Sequence, residues 1–320
     1  MMIRKKVLAT AGALTLMLAI ICAGFVNLYN VYGDEAGDHS QLEFKKEYKL
    51  LNNQNGSKAP ADTFVFKITP QDGAPAFDNA NPNVQLSGAG KESIHVNWPN
   101  FTSPGIYKYT ITEKEDSTMG TYYSGETLEL TVYVTNKPDG TGGFNRTYTL
   151  KNKTGGDKTD GFINTYKAGE LDITKTVTGL FGDMKKEFTV KVTFKKPDDK
   201  KLGGNIVFGE KVIKPEDFNG GKATVEVKIK NGEHISFQNV PYGMEYTLTE
   251  VEANQDGYVT TYENENGTMS QDKVAAAITN SKGGNIPTGI IHSVAKYGIA
   301  FAALIMLSAI VVIRRRKKNA

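Results

Sequence analysis

Tyr109-Thr110-Ile111-Thr112-Glu113 returns later in the chain as Tyr246-Thr247-Leu248-Thr249-Glu250. Each stretch alternates large apolar and polar residues with the two-residue period of a strand that buries one face. Each also ends its apolar stripe on a glutamate. Two further pairs repeat in the same order. Leu42-Glu43-Phe44-Lys45-Lys46 matches Leu171-Asp172-Ile173-Thr174-Lys175, and Phe162-Ile163-Asn164-Thr165 matches Ile278-Thr279-Asn280-Ser281. Self-similarity of this kind marks two related modules in tandem. The region between is built from short alternating runs separated by turn signals, and no long stretch holds a helical period. Fifteen Tyr and fifteen Phe, set among many Thr and Val, suit strands. The expected fold is therefore all-β, with two tandem β-sandwich domains at 34–167 and 168–283. Asn55-Gly56, Asp139-Gly140, Asn231-Gly232, Asp256-Gly257 and Asn266-Gly267 are read as hairpin or tight turns. The clearest expected hairpin runs from Val225–Ile229 through Asn231-Gly232 into Ile235–Phe237.

The polar ends of these stripes carry the chemistry. Leu42, Phe44 and Lys46 share a face, as do Leu171, Ile173 and Lys175. Tyr107, Tyr109, Ile111 and Glu113 do the same, and so do Tyr246, Leu248 and Glu250. Phe162 with Asn164, and Ile278 with Asn280, complete the two sets. If the stripes face the core, so do these polar groups. A buried charge without a partner neutralises, so burial drives a lysine pKa down and a glutamate pKa up. A neutral amine is a nucleophile, a neutral carboxylic acid can shuttle protons, and an asparagine carboxamide is then the electrophile. The expected product is a Lys–Asn isopeptide bond in each module. Glu113 and Glu250 would promote it, and Lys46 with Asn164, and Lys175 with Asn280, would be joined. Exclusion of water and fixed geometry would have to drive the reaction. Lys45, beside Lys46, makes the first lysine assignment less sharply defined than the second.

The two ends read as addresses. Of 38 basic and 35 acidic residues, Arg4, Lys5, Lys6, Lys296, Arg314, Arg315, Arg316, Lys317 and Lys318 lie in ends that hold no acid. The middle of the chain is therefore net acidic, with no basic face for a nucleic acid. Met1–Lys6, then apolar Val7–Val26, then small and turn-compatible residues with Val31-Tyr32-Gly33 as the cleavage site have the layout of a signal peptide over 1–33; an uncleaved anchor is the alternative. Tyr297–Ile313 is an apolar run whose helix would reach about 25 Å, just short of a ~30 Å hydrocarbon core, and a basic tail follows it. Before it stands Asn285-Ile286-Pro287-Thr288-Gly289. Pro-Thr-Gly, an apolar span and a basic tail together resemble a Gram-positive sortase sorting signal over 284–320, cleaved between Thr288 and Gly289. The single cysteine, Cys22, lies in the first apolar segment, so disulfides, Cys-bound metals and a Cys nucleophile are excluded from the middle. His39, His95, His234 and His292 show no metal-ligand spacing, no nucleotide fingerprint is present, and no cofactor or metal is expected.

At the paired Lys, Glu and Asn residues and the sorting segment, the chain resembles major backbone pilins of Gram-positive bacteria, of the T-antigen type. Val240-Pro241-Tyr242-Gly243-Met244-Glu245-Tyr246, running on to Glu250, is similar to the Glu-bearing segment of collagen-adhesin B-type domains. The resemblance implies immunoglobulin-like sandwiches, each closed by a self-formed Lys–Asn bond. It implies a shaft subunit joined to identical subunits by a pilin-type sortase, with minor pilins and peptidoglycan as further partners and a host surface ligand as another. The location implied is a surface pilus on the cell wall. The resemblance also places an acceptor lysine a few residues before the linking asparagine, which points to Lys158, with Lys153 and Lys151 next. A monomeric wall-anchored adhesin built from the same modules is the alternative. Enzymatic turnover is not expected, because the one plausible reaction is intramolecular and occurs once per site.

Overall fold

The structure, a computed structural model, describes residues 38–51 and 56–284. The signal peptide, the sorting residues Asn285–Gly289, the C-terminal apolar run and Asn55 lie outside these.

The first module contains β1 (Gln41–Leu50), β2 (Asp62–Pro70), β3 (Asn83–Leu86), β4 (Gly90–Asn97), β5 (Gly105–Glu113), β6 (Thr121–Tyr122), β7 (Thr127–Asn136), β8 (Phe144–Asn152) and β9 (Gly161–Tyr166). They form a four-stranded sheet, β4-β1-β9-β6, and a five-stranded sheet, β3-β2-β5-β7-β8. Alternation in β1 and β2 sends Leu42, Phe44, Tyr48, Phe64 and Phe66 into a common core with Ile111, Leu130 and Phe162. Phe66 meets Phe44 edge-on and Phe162 at a tilt, both at 5.2 Å between ring centroids, so rings from the two sheets interlock.

The second module contains β10 (Ala168–Thr178), β11 (Phe188–Lys195), β12 (Ile206–Phe208), β13 (Lys211–Ile213), β14 (Lys222–Ile229), β15 (His234–Pro241), β16 (Glu245–Glu250), β17 (Val259–Glu263), β18 (Asn266–Thr268) and β19 (Lys273–Ser281). Its sheets are β13-β12-β15-β10-β19-β17 and β14-β11-β16-β18. In both modules the first strand lies parallel to the last, β1 to β9 and β10 to β19. This pairing decides where the polar stripe ends meet.

Two turn expectations are corrected. Val225–Ile229 and Ile235–Phe237 do not form a hairpin. β14 pairs with β11 in one sheet, whereas β15 pairs with β10 and β12 in the other. Asn231-Gly232 is a turn that arches between the sheets, with Gly232 at φ 78°. A hairpin and an arch share the same local alternation and the same turn residues, so the pattern does not separate them. Here the turn is strapped to β10 instead. The Asn231 side chain accepts from the Val177 amide at 2.8 Å, Gly232 N–H donates to the Lys175 carbonyl at 2.8 Å, and Lys175 N–H donates to the Glu233 carbonyl at 3.0 Å. Asn266-Gly267 is likewise no turn. It lies in β18, paired with β16, and the left-handed residue at this crossing is Asn264 at φ 53°.

The modules join without a free linker, with only Lys167 between β9 and β10. A loop of the first module enters the second: Met119 is 4% exposed and packs in the second core. Its backbone is held by Lys201 N–H to the Ser117 carbonyl (3.0 Å) and Met119 N–H to the Lys201 carbonyl (2.9 Å), and the Lys201 ammonium pairs with Asp116. Truncating a buried methionine costs about 2–5 kcal/mol. Met119→Ala should therefore lower the thermal transition of the second module, although the residue belongs to the first. A scanning-calorimetry trace with that transition unmoved would refute the plug.

Candidate functional site: two buried Lys–Glu–Asn pockets

The parallel pairing of first and last strands sets lysine and asparagine on a diagonal. Tyr48 lies opposite Asn164, and Val177 opposite Asn280. Lys46 and Lys175 each stand two residues before that position, on the same inward face. A long side chain reaches such a diagonal neighbour. The glutamate comes from the facing sheet in both modules: Glu113 ends β5 opposite Phe66, and Glu250 ends β16 opposite Val190. The sandwich thus closes three polar groups between its layers, twice, at one strand register.

In the first pocket Lys46 and Asn164 are fully buried. Lys46 Nζ lies 2.7 Å from Glu113 Oε1, and Asn164 Nδ2 donates to the same oxygen at 2.9 Å. Asn164 Oδ1 accepts from the Ser124 backbone N–H at 3.0 Å. Burial pushes the Lys46 amine down to about 8, against the upward pull of Glu113. Burial also pushes the Glu113 carboxyl up, although Lys46 and Asn164 pull it the other way. In the second pocket Lys175 Nζ lies 2.5 Å from Glu250 Oε2, and Asn280 Nδ2 donates to Glu250 Oε1 at 2.5 Å. Burial lowers the Lys175 amine, with the hydrogen bond to Glu250 opposing it. Asn280 Oδ1 is buried with no hydrogen-bond partner.

All six stripe-end residues are brought together as two triads. Lys45 points outward to Asp160 at 3.3 Å, with its side chain 40% exposed, so Lys46 is the lysine of the first pocket. Lys158 lies elsewhere, exposed in the turn between β8 and β9 and bridged to Lys151; Lys153 is exposed in the same turn.

Sequence reasoning missed the floor of each pocket. Lys46 Nζ sits 4.5 Å from the centroid of the Phe64 ring, and Lys175 Nζ 4.3 Å from that of Phe188. The signal was available, because Phe64-Val65-Phe66-Lys67-Ile68-Thr69 and Phe188-Thr189-Val190-Lys191-Val192-Thr193 are one more repeated strand. Two polar contacts were also missed, the Ser124 N–H on Asn164 and the Tyr262 hydroxyl that accepts from Glu250 N–H at 3.0 Å. These depend on loop and sheet placement and leave no repeat. Among the described residues no group of His, Cys, Asp and Glu is arranged to hold a metal.

Comparison with known proteins follows the same division. Residues 42–167 match the family model of the Spy0128-like isopeptide containing domain, and residues 169–282 match a domain family of unknown function. A protein named pilin from Streptococcus pyogenes serotype M1 is 25% identical over 99% of both chains. The pilus tip adhesin Cpa of the same species is 34% identical over 26% of this chain and 12% of its own length. Among solved structures, the major pilin of Streptococcus pyogenes superposes with a TM-score of 0.55 at 21% identity. It covers 77% of this chain and all of the solved one. The T3.2 major pilin superposes at 0.51 and 22% identity with the same coverage of this chain.

Proposed function

We propose, proceeding from this chain's membership of the Gram-positive major pilins, that it is the repeating shaft subunit of a covalent surface pilus, stapled internally by Lys46–Asn164 and Lys175–Asn280 bonds. The observation that carries this reading is the buried Lys–Glu–Asn triad recurring at one register in both modules. The pair of lysine and glutamate shares one proton. In its neutral form the amine holds a lone pair and the acid holds the proton. The Nζ lone pair attacks the asparagine Cγ, and the Cγ–Nδ2 bond breaks after the carboxylic acid protonates the departing nitrogen. The proton lost from Nζ returns to the carboxylate. Ammonia leaves, an amide joins the two side chains, and the glutamate is restored.

In the first pocket the Ser124 N–H already polarises the carboxamide oxygen, as a donor aimed at developing negative charge does. In the second, a half-turn of the Asn280 amide would set its oxygen against Glu250 Oε1, a contact that a neutral acid satisfies by donating. Each staple ties a module's first strand to its last, so tension along the shaft would pass through covalent bonds near the module ends. Subunits would be joined when a sortase breaks the Thr288–Gly289 peptide bond and passes the Thr288 acyl group to a lysine amine of the next subunit. Lys158, exposed and in neither pocket, is the acceptor we assign. The final transfer would attach the polymer to peptidoglycan.

The test is a gel of cell-wall extract. A covalent shaft gives a ladder of SDS-resistant species that collapses with Thr288→Ala or on deletion of the sortase. One band of monomer size would instead favour a singly anchored adhesin. A recombinant fragment of residues 34–288 should weigh two ammonias less than its encoded mass.

A further inference from the structure

Exposed large apolar side chains gather where the chain leaves the second module. Leu180 (63%), Phe181 (55%), Met184 (47%) and Val259 (60%) stand around the end of β19. Val259 lies opposite Ser281, and Phe181 N–H donates to the Lys282 carbonyl at 3.1 Å. Asp183 N–H donates to the Tyr258 hydroxyl at 2.9 Å, which fixes the loop there. An apolar cluster of this kind on a surface marks a contact. A second exposed pair, Ile163 (47%) and Tyr122 (49%), lies on β9, which follows the Lys158 turn, and on β6 beside the far end of β9, where Lys167 Nζ sits 5.0 Å from the centroid of the Tyr122 ring.

We propose that the Phe181 end of one subunit docks on the Ile163–Tyr122 face of a second copy of this chain, and that this contact presents Lys158 to the acyl group. The inference rests on the polymer reading above. Chain length selects the occupant: residues 285–288 span at most about 14 Å when extended. Once Thr288 is bonded to a neighbouring lysine, the Phe181 end has to lie against that neighbour. The two patches differ, so the contact is heterologous and propagates as an open filament rather than closing a dimer. The short tether then holds weak docking surfaces at high effective concentration.

The experiment uses the full chain in cells with its sortase. Phe181→Asp and Ile163→Asp should each reduce species above the monomer by about tenfold, the effect of losing one apolar anchor. Val212→Asp, at an exposed valine of β13 away from both patches, should leave the ladder unchanged. Loss of two ammonias in each variant shows that both modules have folded. A photoreactive benzoylphenylalanine at position 181 should crosslink to residues 158–166 of a second copy. Unchanged ladders in both aspartate variants, or crosslinks only to the chain's own C-terminal segment, would overturn the docking while leaving the polymer intact. A wild type without any ladder removes the polymer reading and this contact together.

Discussion

Glu250→Ala will lose one ammonia fewer than wild type, each weighed against its own encoded mass, and Glu113→Ala will do the same for the first module. Without the acid, the amine and the carboxamide still face each other, but nothing carries the proton to the departing nitrogen. The expected stability effect is large because the proposed staple would close almost the whole module. By analogy with disulfides, constraining a loop of ~100 residues is worth about 5 kcal/mol. At several degrees per kcal/mol for modules of this size, the affected transition should fall by roughly 20 °C. Glu250→Gln and Glu113→Gln keep the volume and a hydrogen-bonding amide but hold no transferable proton, so each should retain the same ammonia, against its own encoded mass, as the alanine variant at that position. A fully crosslinked mass in either pair would remove that glutamate from its assigned role.

Asn164→Ala removes the electrophile and leaves Lys46 facing Glu113, which exposes the pocket's titration to measurement. The Lys46 amine sits at about 8 in the folded chain against an ordinary 10.5. Between these values the unfolded chain binds more protons, so stability rises as pH climbs from about 8 to about 10.5, by an amount on the order of 3 kcal/mol for this fully buried amine. The Glu113 carboxyl is shifted up by burial. Above its ordinary 4.5 the folded chain therefore holds the extra proton, and stability falls as pH rises through that window. Urea midpoints of the variant's first module should trace a trough between the two windows. With the proposed bond formed in wild type, the Lys46 nitrogen would be an amide that does not titrate, so the alkaline rise should be missing. A variant curve parallel to wild type above pH 8 would place the amine in water rather than in a dry pocket.

The paired residues were legible because a strand's two-residue period assigns every side chain to a face without knowledge of its neighbours. Lys46, Glu113 and Asn164 end apolar stripes, as do Lys175, Glu250 and Asn280, and the same break in amphipathicity appears twice. Phe64 and Phe188 were legible too, in a strand repeat that carries no polar residue out of place to draw attention. Ser124 and Tyr262 were not, because their contacts come from a loop and a neighbouring strand brought close only by folding. The Asn231 turn shows the limit most plainly: its residues demand a turn, but whether the chain folds back beside itself or crosses to the other sheet depends on which strand completes the pairing.

By itself the sequence determined strand identity, the inward face of each strand, the tandem repeat, and the residue types that end the stripes. All of these follow from local alternation and self-similarity. The tertiary structure alone decided that first and last strands run side by side in parallel, that Met119 plugs the second core, and that the Asn231 turn crosses to the facing sheet. Those outcomes depend on sheet order and on which layers stack, interactions between residues far apart in the chain whose energies no short window contains.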